Sequence, residues 1–246
     1  MRGPDHSRSF ADAASKVAVM AEMHGRDLTR RHAALALLVA LPLAFYFASS
    51  GEGVRAVSAG GIGMAFSVSG ATLFSILSSE EVDQRLVLGG YRPIELLVGR
   101  LVFLGPLGLL LAGLFTAVMV PISSPERPWV VLLGVAVVAL QSVPFGLAVG
   151  AVVPKELEGT LVLIGVVGMQ LATSPSSAVA KALPFYGARR ILGVGVDGSG
   201  PILWPLGLTA AYGLALLLIA RVFVDRRVNV AHHERLPAGS PAEAAS

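Results

Sequence analysis

Long apolar runs separated by short polar breaks dominate the chain. The runs lie at 33–49, 56–78, 96–120, 129–153, 160–174 and 201–224. A helix needs about 20 apolar residues to cross a hydrocarbon layer of about 30 Å, and most of these runs reach that length. The pattern therefore predicts an all-α membrane protein, with a polytopic bundle of six transmembrane helices as a single domain over 33–224.

The fifth run is the short one. As a helix, residues 160–174 would extend only about 22 Å, and Pro175 directly after them stops or kinks a helix. Two interpretations follow from this length. The segment either thins the bilayer around itself or leads into a re-entrant segment.

The two ends of the chain are polar. In the N-terminal segment 1–32, apolar positions from Phe10 to Leu28 recur at near-helical spacing, which predicts an amphipathic helix on the membrane surface. A solvated tail is the alternative, because the alanines there bury little area. The C-terminal segment 225–246 is rich in Ala, Pro, Ser and Glu towards its end, which is typical of a disordered tail.

Composition and charge support the membrane interpretation. The chain is 54% hydrophobic and 14% charged, where a soluble domain carries about a quarter charged residues. Most Lys and Arg residues lie in the N-terminal segment and in alternate breaks, which predicts that both termini are cytoplasmic. Five cations fall on the outer side instead: Arg55, Arg127, Lys181, Arg189 and Arg190. No basic face with interleaved aromatic residues is present, which argues against nucleic-acid binding.

The predicted spans carry little chemistry. All five histidines lie outside them, no Asp or Glu lies well inside one, and the chain has no cysteine, so an intramembrane protease or a metal enzyme lacks its base or its ligands. No lysine follows a glycine as the phosphate-binding loop of an ATPase requires. We therefore expect no enzyme activity. Gln141 and Gln170 are the polar candidates for a substrate path, and we interpret Gly193, Gly195 and Gly198 as part of a flexible loop.

Small residues are dense in two predicted spans. Gly60, Gly61, Gly63 and Gly70 lie in the second span, and Gly146 and Gly150 form a small-xxx-small pair in the fourth. Such residues allow helix backbones to approach closely in a membrane. We expect this packing within the subunit, with a dimer contact as the alternative.

The break between the second and third runs is the most structured polar segment. Ser78 and Glu81 have the spacing of a capping box, and Gly89 and Gly90 supply a left-handed helix end. A short helix is predicted to begin at this capping box and to run through Val82 to Leu88. Arg100 is predicted to be able to extend its head group towards the interface. An ordinary capped turn and a docking helix both fit this pattern.

Three segments carry a resemblance to a known family. Residues 80–100 resemble the segment after the second span of ABC-2 type transporter permeases: acidic residues, an arginine, an apolar pair, a turn, and Gly-Arg opening the third helix. Residues 154–160 are similar to the short acidic link between that family's spans four and five. Residues 183–187 match the loop before its last span, where short helices dip into the membrane, so the resemblance implies a re-entrant segment before the last helix.

The resemblance implies the permease subunit of an exporter in the cell membrane. A cytosolic nucleotide-binding ATPase subunit would hold ATP and Mg, and a second permease subunit would complete the pathway within the lipid. The implied ATPase-docking residues lie in the two cytoplasmic breaks: Glu81, Asp83, Arg85, Arg92, Lys155, Glu156 and Glu158. A non-transport membrane scaffold, whose polar loops simply bind a partner, is the alternative function.

Overall fold

The computed structural model describes residues 32–49, 53–153 and 155–234, together with positions 19, 22, 25 and 26. Within those residues the chain is helical and contains no strand. The helices are α1 (His32–Ala48), α2 (Val54–Leu77), α3 (Glu80–Leu88), α4 (Pro93–Ser123), α5 (Pro128–Val152), α6 (Glu156–Ala172), α7 (Ala178–Ala182), α8 (Tyr186–Asp197) and α9 (Leu203–Glu234).

Four of these helices are long and apolar enough to cross a membrane. They are α2, α4, α5 and the part of α9 over Leu203–Arg226. The remaining two predicted spans correspond to α1 and α6, which have 17 residues each. The count of six spans therefore stays a prediction, whereas an all-helical chain with several membrane-capable helices is confirmed.

Helices α2 and α5 form the centre of the bundle, and their contact depends on glycine. A Cβ atom at Gly146 would collide with the carbonyl oxygen of Ser69 and lie 2.7 Å from Thr72 Cβ. One turn further, Gly150 lies against Ile76 of α2. The prediction that this small-residue pair packs within the subunit is confirmed.

Helix α8 runs antiparallel to α5 along one half of that helix. Gly195 contacts Val131, and the rings of Phe185 and Phe145 pack edge to face with centroids 5.5 Å apart. The predicted flexible loop at Gly193, Gly195 and Gly198 is therefore wrong. Gly193 and Gly195 lie inside α8, where the missing side chain of Gly195 permits the close approach to α5, and Gly198 ends the helix with φ 70°.

Helix α6 ends early, as its short apolar run predicts. Its last turn meets α8 at Arg189, whose guanidinium donates to the carbonyl oxygens of Gln170 and Thr173. Helix α7 is connected to α9 by one hydrogen bond, which the hydroxyl of Tyr212 donates to the carbonyl oxygen of Lys181 at 3.0 Å. The chain between α6 and α9 thus folds back beside the bundle. Its depth in a membrane stays a prediction.

The bundle has two ends, which we name after the helices found there. The α3 end contains the last turns of α2 and α5, α3 itself, and the first turns of α4 and α6. The α8 end contains the last turn of α8 and the starts of α2 and α5, because the backbone nitrogen of Arg127 donates to Gly195 at 2.9 Å and Gly193 contacts Val54.

The predicted terminal segments fare differently. The predicted amphipathic helix over 10–28 lies largely outside the described residues. Helix α9 continues to Glu234, past residue 225 where the predicted tail begins, and the disorder of that tail stays a prediction. Charged and amide side chains are compatible with a helix, so the loss of hydrophobicity after Val224 does not end α9.

Candidate functional site

Helix α3 is a short polar helix at the α3 end, and no residue of it is buried. The predicted capping box is wrong, because the Ser78 hydroxyl donates to the carbonyl oxygen of Phe74 at 2.6 Å, and Ser79 donates to Ser75 at 2.7 Å. Both serine side chains thus donate back to carbonyl groups in the last turn of α2 and do not cap α3. The acidic residues in the first turn of α3 remain favourable next to the positive end of the helix dipole.

A buried ion pair attaches α3 to α4. Arg100 is only 2% exposed, and its guanidinium contacts the Asp83 carboxylate at 2.6 Å. The same guanidinium also donates to the hydroxyl of Ser79. Arg100 therefore extends towards the polar break, but its head group pairs with Asp83 inside the protein and is not exposed to solvent. Whether it reaches the membrane interface stays a prediction. Burying the charge of Arg100 without a carboxylate partner would cost too much free energy. The ion pair with Asp83 therefore holds α3 in one position against α4.

The predicted docking residues of the first break therefore divide into two groups. Asp83 is committed to Arg100, whereas Glu81, Arg85 and Arg92 are exposed. The turn that follows α3 contains Gly90 at φ 92°, a conformation that favours glycine, and the Glu95 carboxylate then accepts from the backbone nitrogen of Arg92 at 2.9 Å. The exposed residues therefore form a charged surface, which the buried ion pair between Asp83 and Arg100 holds in place. We call the exposed residues Glu81, Arg85 and Arg92 the α3 surface.

The second break lies at the same end of the bundle. The side chain of Leu73, in the last part of α2, lies against both Gly150 and Gly159, which flank that break. Lys155, Glu156 and Glu158 are all exposed, and Lys155 pairs with Glu158 at 3.0 Å. The structure thus brings the two predicted docking segments together around the end of α2.

A large cavity lies at the α8 end. Its volume is about 1210 Å³, and it is bounded by α1, the start of α2, the end of α6 and α8. Arg55, Arg189 and Arg190 line it together with a single carboxylate, Asp197. The sequence pattern does not predict this cavity. The one sequence feature connected with it is that these three arginines are among the five cations on the outer side of the predicted topology.

The two glutamines proposed for a substrate path are buried elsewhere. Gln141 is 4% exposed and faces Gly213 of α9, while Gln170 is fully buried, and neither lines the large cavity. Within the described part of the chain, the side-chain amide nitrogens of both have no hydrogen-bond partner. Buried amides normally have hydrogen-bond partners, so these two unpaired amide nitrogens are unusual inside an apolar bundle. Their role in a path stays a prediction.

Among the residues that the structure describes, no three His, Asp or Glu side chains form a group that could hold a metal ion. No protein-family model matches the chain, and no characterised protein is found to be similar to it.

Proposed function

We propose that the chain is the permease subunit of an ATP-driven ABC-2 type exporter. In this proposal, α1, α2, α4, α5, α6 and α9 cross the cell membrane as six spans, and both termini lie in the cytoplasm. A separate ATPase subunit binds ATP and Mg and docks at the α3 end. A second permease subunit, identical or homologous, completes the pathway.

The arrangement of α3 is the observation that carries the proposal. A surface that only binds a partner needs no rigid connection to the transmembrane helices. Here the α3 surface is attached through Asp83 to Arg100, a buried residue of the apolar helix α4. A displacement of α3 by a partner would therefore move α4 as well, as the transmission of ATPase closure to a membrane domain requires.

The exposed apolar surface supports a protein that works in the membrane. In the most apolar window of α9 only 11% of residues are buried, compared with 72% in α5. Leu110 of α4 and Leu161 of α6 are also more than half exposed. Lipid and a second permease subunit are the neighbours that these faces suit.

Arg85→Glu tests the docking surface. Arg85 is exposed and takes no part in the Asp83–Arg100 ion pair, so we expect the variant to fold normally. We expect it to retain less than about a tenth of the ATPase subunit on purification, because loss of a central interface arginine has a large effect on binding. Arg127→Glu is the matched control, because it changes an exposed arginine at the α8 end by the same charge. The docking role is wrong if both variants retain the ATPase equally.

Cysteine labelling tests the proposed topology. The natural chain has no cysteine, so single substitutions can be made without removing others. Glu81→Cys and Lys155→Cys, at the α3 end, should react with a membrane-impermeant maleimide only after the cells are permeabilised. Ser174→Cys and Ser199→Cys, which line the cavity at the α8 end, should react in intact cells. Labelling of Lys155→Cys and Ser174→Cys from the same side would show that α6 does not cross the membrane.

A further inference from the structure

The cavity at the α8 end combines a cationic region with an apolar wall. Three arginines and one carboxylate line a space of about 1210 Å³. The apolar part of its wall includes Phe45 of α1, Leu171 of α6 and Val194 of α8. Within the part of the chain that the structure describes, none of the three arginines forms an ion pair. The cavity therefore has an excess of positive charge that the described residues do not neutralise.

Arg189 is the most buried of these three arginines, and hydrogen bonds hold its side chain in place. At ~1.5 Å per residue, Arg189 lies about 12 Å along α8 from its end at Asp197. Its two hydrogen bonds go to carbonyl oxygens at the end of α6, a favourable place for a cation because of the helix dipole. These contacts orient the guanidinium but leave its charge without an anion. A partly buried arginine whose described partners are carbonyl oxygens alone is suited to bind an anion.

We infer that this cavity binds an amphiphile with an anionic head group. The head group, a phosphate or a carboxylate, lies at Arg55, Arg189 and Arg190, which suit the bidentate recognition of such anions. The alkyl chain lies along the apolar wall between α1 and α6. This inference goes beyond the proposed function, since binding requires only the present chain and no ATPase.

The binding experiment compares two lipids that differ only in head group. The purified chain in an uncharged maltoside detergent is titrated with dihexanoyl phosphatidylglycerol or dihexanoyl phosphatidylcholine, and binding is followed by calorimetry and native mass spectrometry. We expect one phosphatidylglycerol per chain, bound at least about tenfold more tightly than phosphatidylcholine, because charge-assisted hydrogen bonds to the head group are strong. Equal affinity for the two lipids would overturn the inference.

Inorganic phosphate distinguishes an amphiphile from a free anion. Phosphate alone should bind at least about tenfold more weakly than phosphatidylglycerol, because it makes no contact with the apolar wall. If phosphate alone bound as tightly as the lipid, the site would be an anion site and the amphiphile inference would be wrong.

Variants assign the binding to this cavity. Arg55→Gln and Arg190→Gln change exposed side chains, so the fold should persist, and together they should weaken phosphatidylglycerol binding by about tenfold. Arg127→Gln removes an arginine of the same end that does not line the cavity and should leave the affinity unchanged. The inference fails if the double variant binds as the wild type does, or if Arg127→Gln weakens binding equally. Arg189→Gln is a poorer test, because that side chain also holds α6.

Discussion

Asp83→Ala is expected to lower the free energy of unfolding by about 3 kcal/mol, because it leaves the charge of Arg100 buried without its carboxylate. Arg100 is almost fully enclosed and cannot reach water without moving α3. The measurement is an equilibrium unfolding titration of the purified chain in mixed micelles. The loss should be accompanied by protease sensitivity in α3, since that helix has no buried residue of its own to hold it.

Two further variants separate the effect of burial from that of charge. Glu158→Ala breaks the exposed pair with Lys155 and should cost less than about 1 kcal/mol, as surface ion pairs usually do. The double replacement of Asp83 by Leu and Arg100 by Met should restore most of the stability, because it removes both charges together. Equal stability of Asp83→Ala and Glu158→Ala would contradict the conclusion that the Asp83–Arg100 ion pair holds α3 on α4.

Gly146→Ala is expected to destabilise the chain by about 1–3 kcal/mol, the usual range for overpacking a tight core. The added methyl group would collide with the carbonyl oxygen of Ser69, which is backbone and cannot rotate away. Helices α2 and α5 would have to separate at the centre of the bundle. The same unfolding titration measures the loss, and the crosslinking yield of cysteines placed across α2 and α5 reports the separation.

Gly70→Ala is the matched control for Gly146→Ala. Gly70 lies on α2 next to Ser69, yet a Cβ atom there would meet nothing within 4 Å. Alanine is the better helix former, so this variant should be neutral or slightly more stable. If Gly70→Ala and Gly146→Ala lost stability alike, the glycine-dependent packing of α2 on α5 would be refuted.

The apolar pattern predicted the long helices well. The predicted runs and the observed helices agree to within a few residues at most ends, because burial in either lipid or protein selects the same residue types. The largest error was at α8. That helix contains three glycines and two arginines, and its stability comes from packing against α5, which local propensity does not report.

The site residues were predicted less completely, for a physical reason. Glu81, Arg85 and Arg92 were identified because they are polar residues in a break between apolar runs. The pairing of Asp83 with Arg100 joins two helices across a turn, and no periodicity reports such a contact. One signal was available: Arg100 lies inside the apolar run 96–120, and an arginine within a span usually has a partner in the protein.

The cavity at the α8 end could not be predicted, because its wall comes from four separate segments. In sequence its arginines are simply cations on the unexpected side of the membrane. Only the folding back of α7 and α8 beside α6 brings Arg189 and Arg190 close to the start of α2. If the predicted topology holds, these cations lie on the outer side because the cavity requires them there.

The most direct test of the central proposal is to purify the tagged chain from its native membrane in mild detergent and identify what accompanies it. The account predicts an ATPase subunit in a fixed ratio to the chain, with ATP hydrolysis in the complex that falls when Arg85→Glu releases that subunit. Recovery of the folded chain alone, with no ATPase bound and no hydrolysis, would contradict it and favour a membrane scaffold.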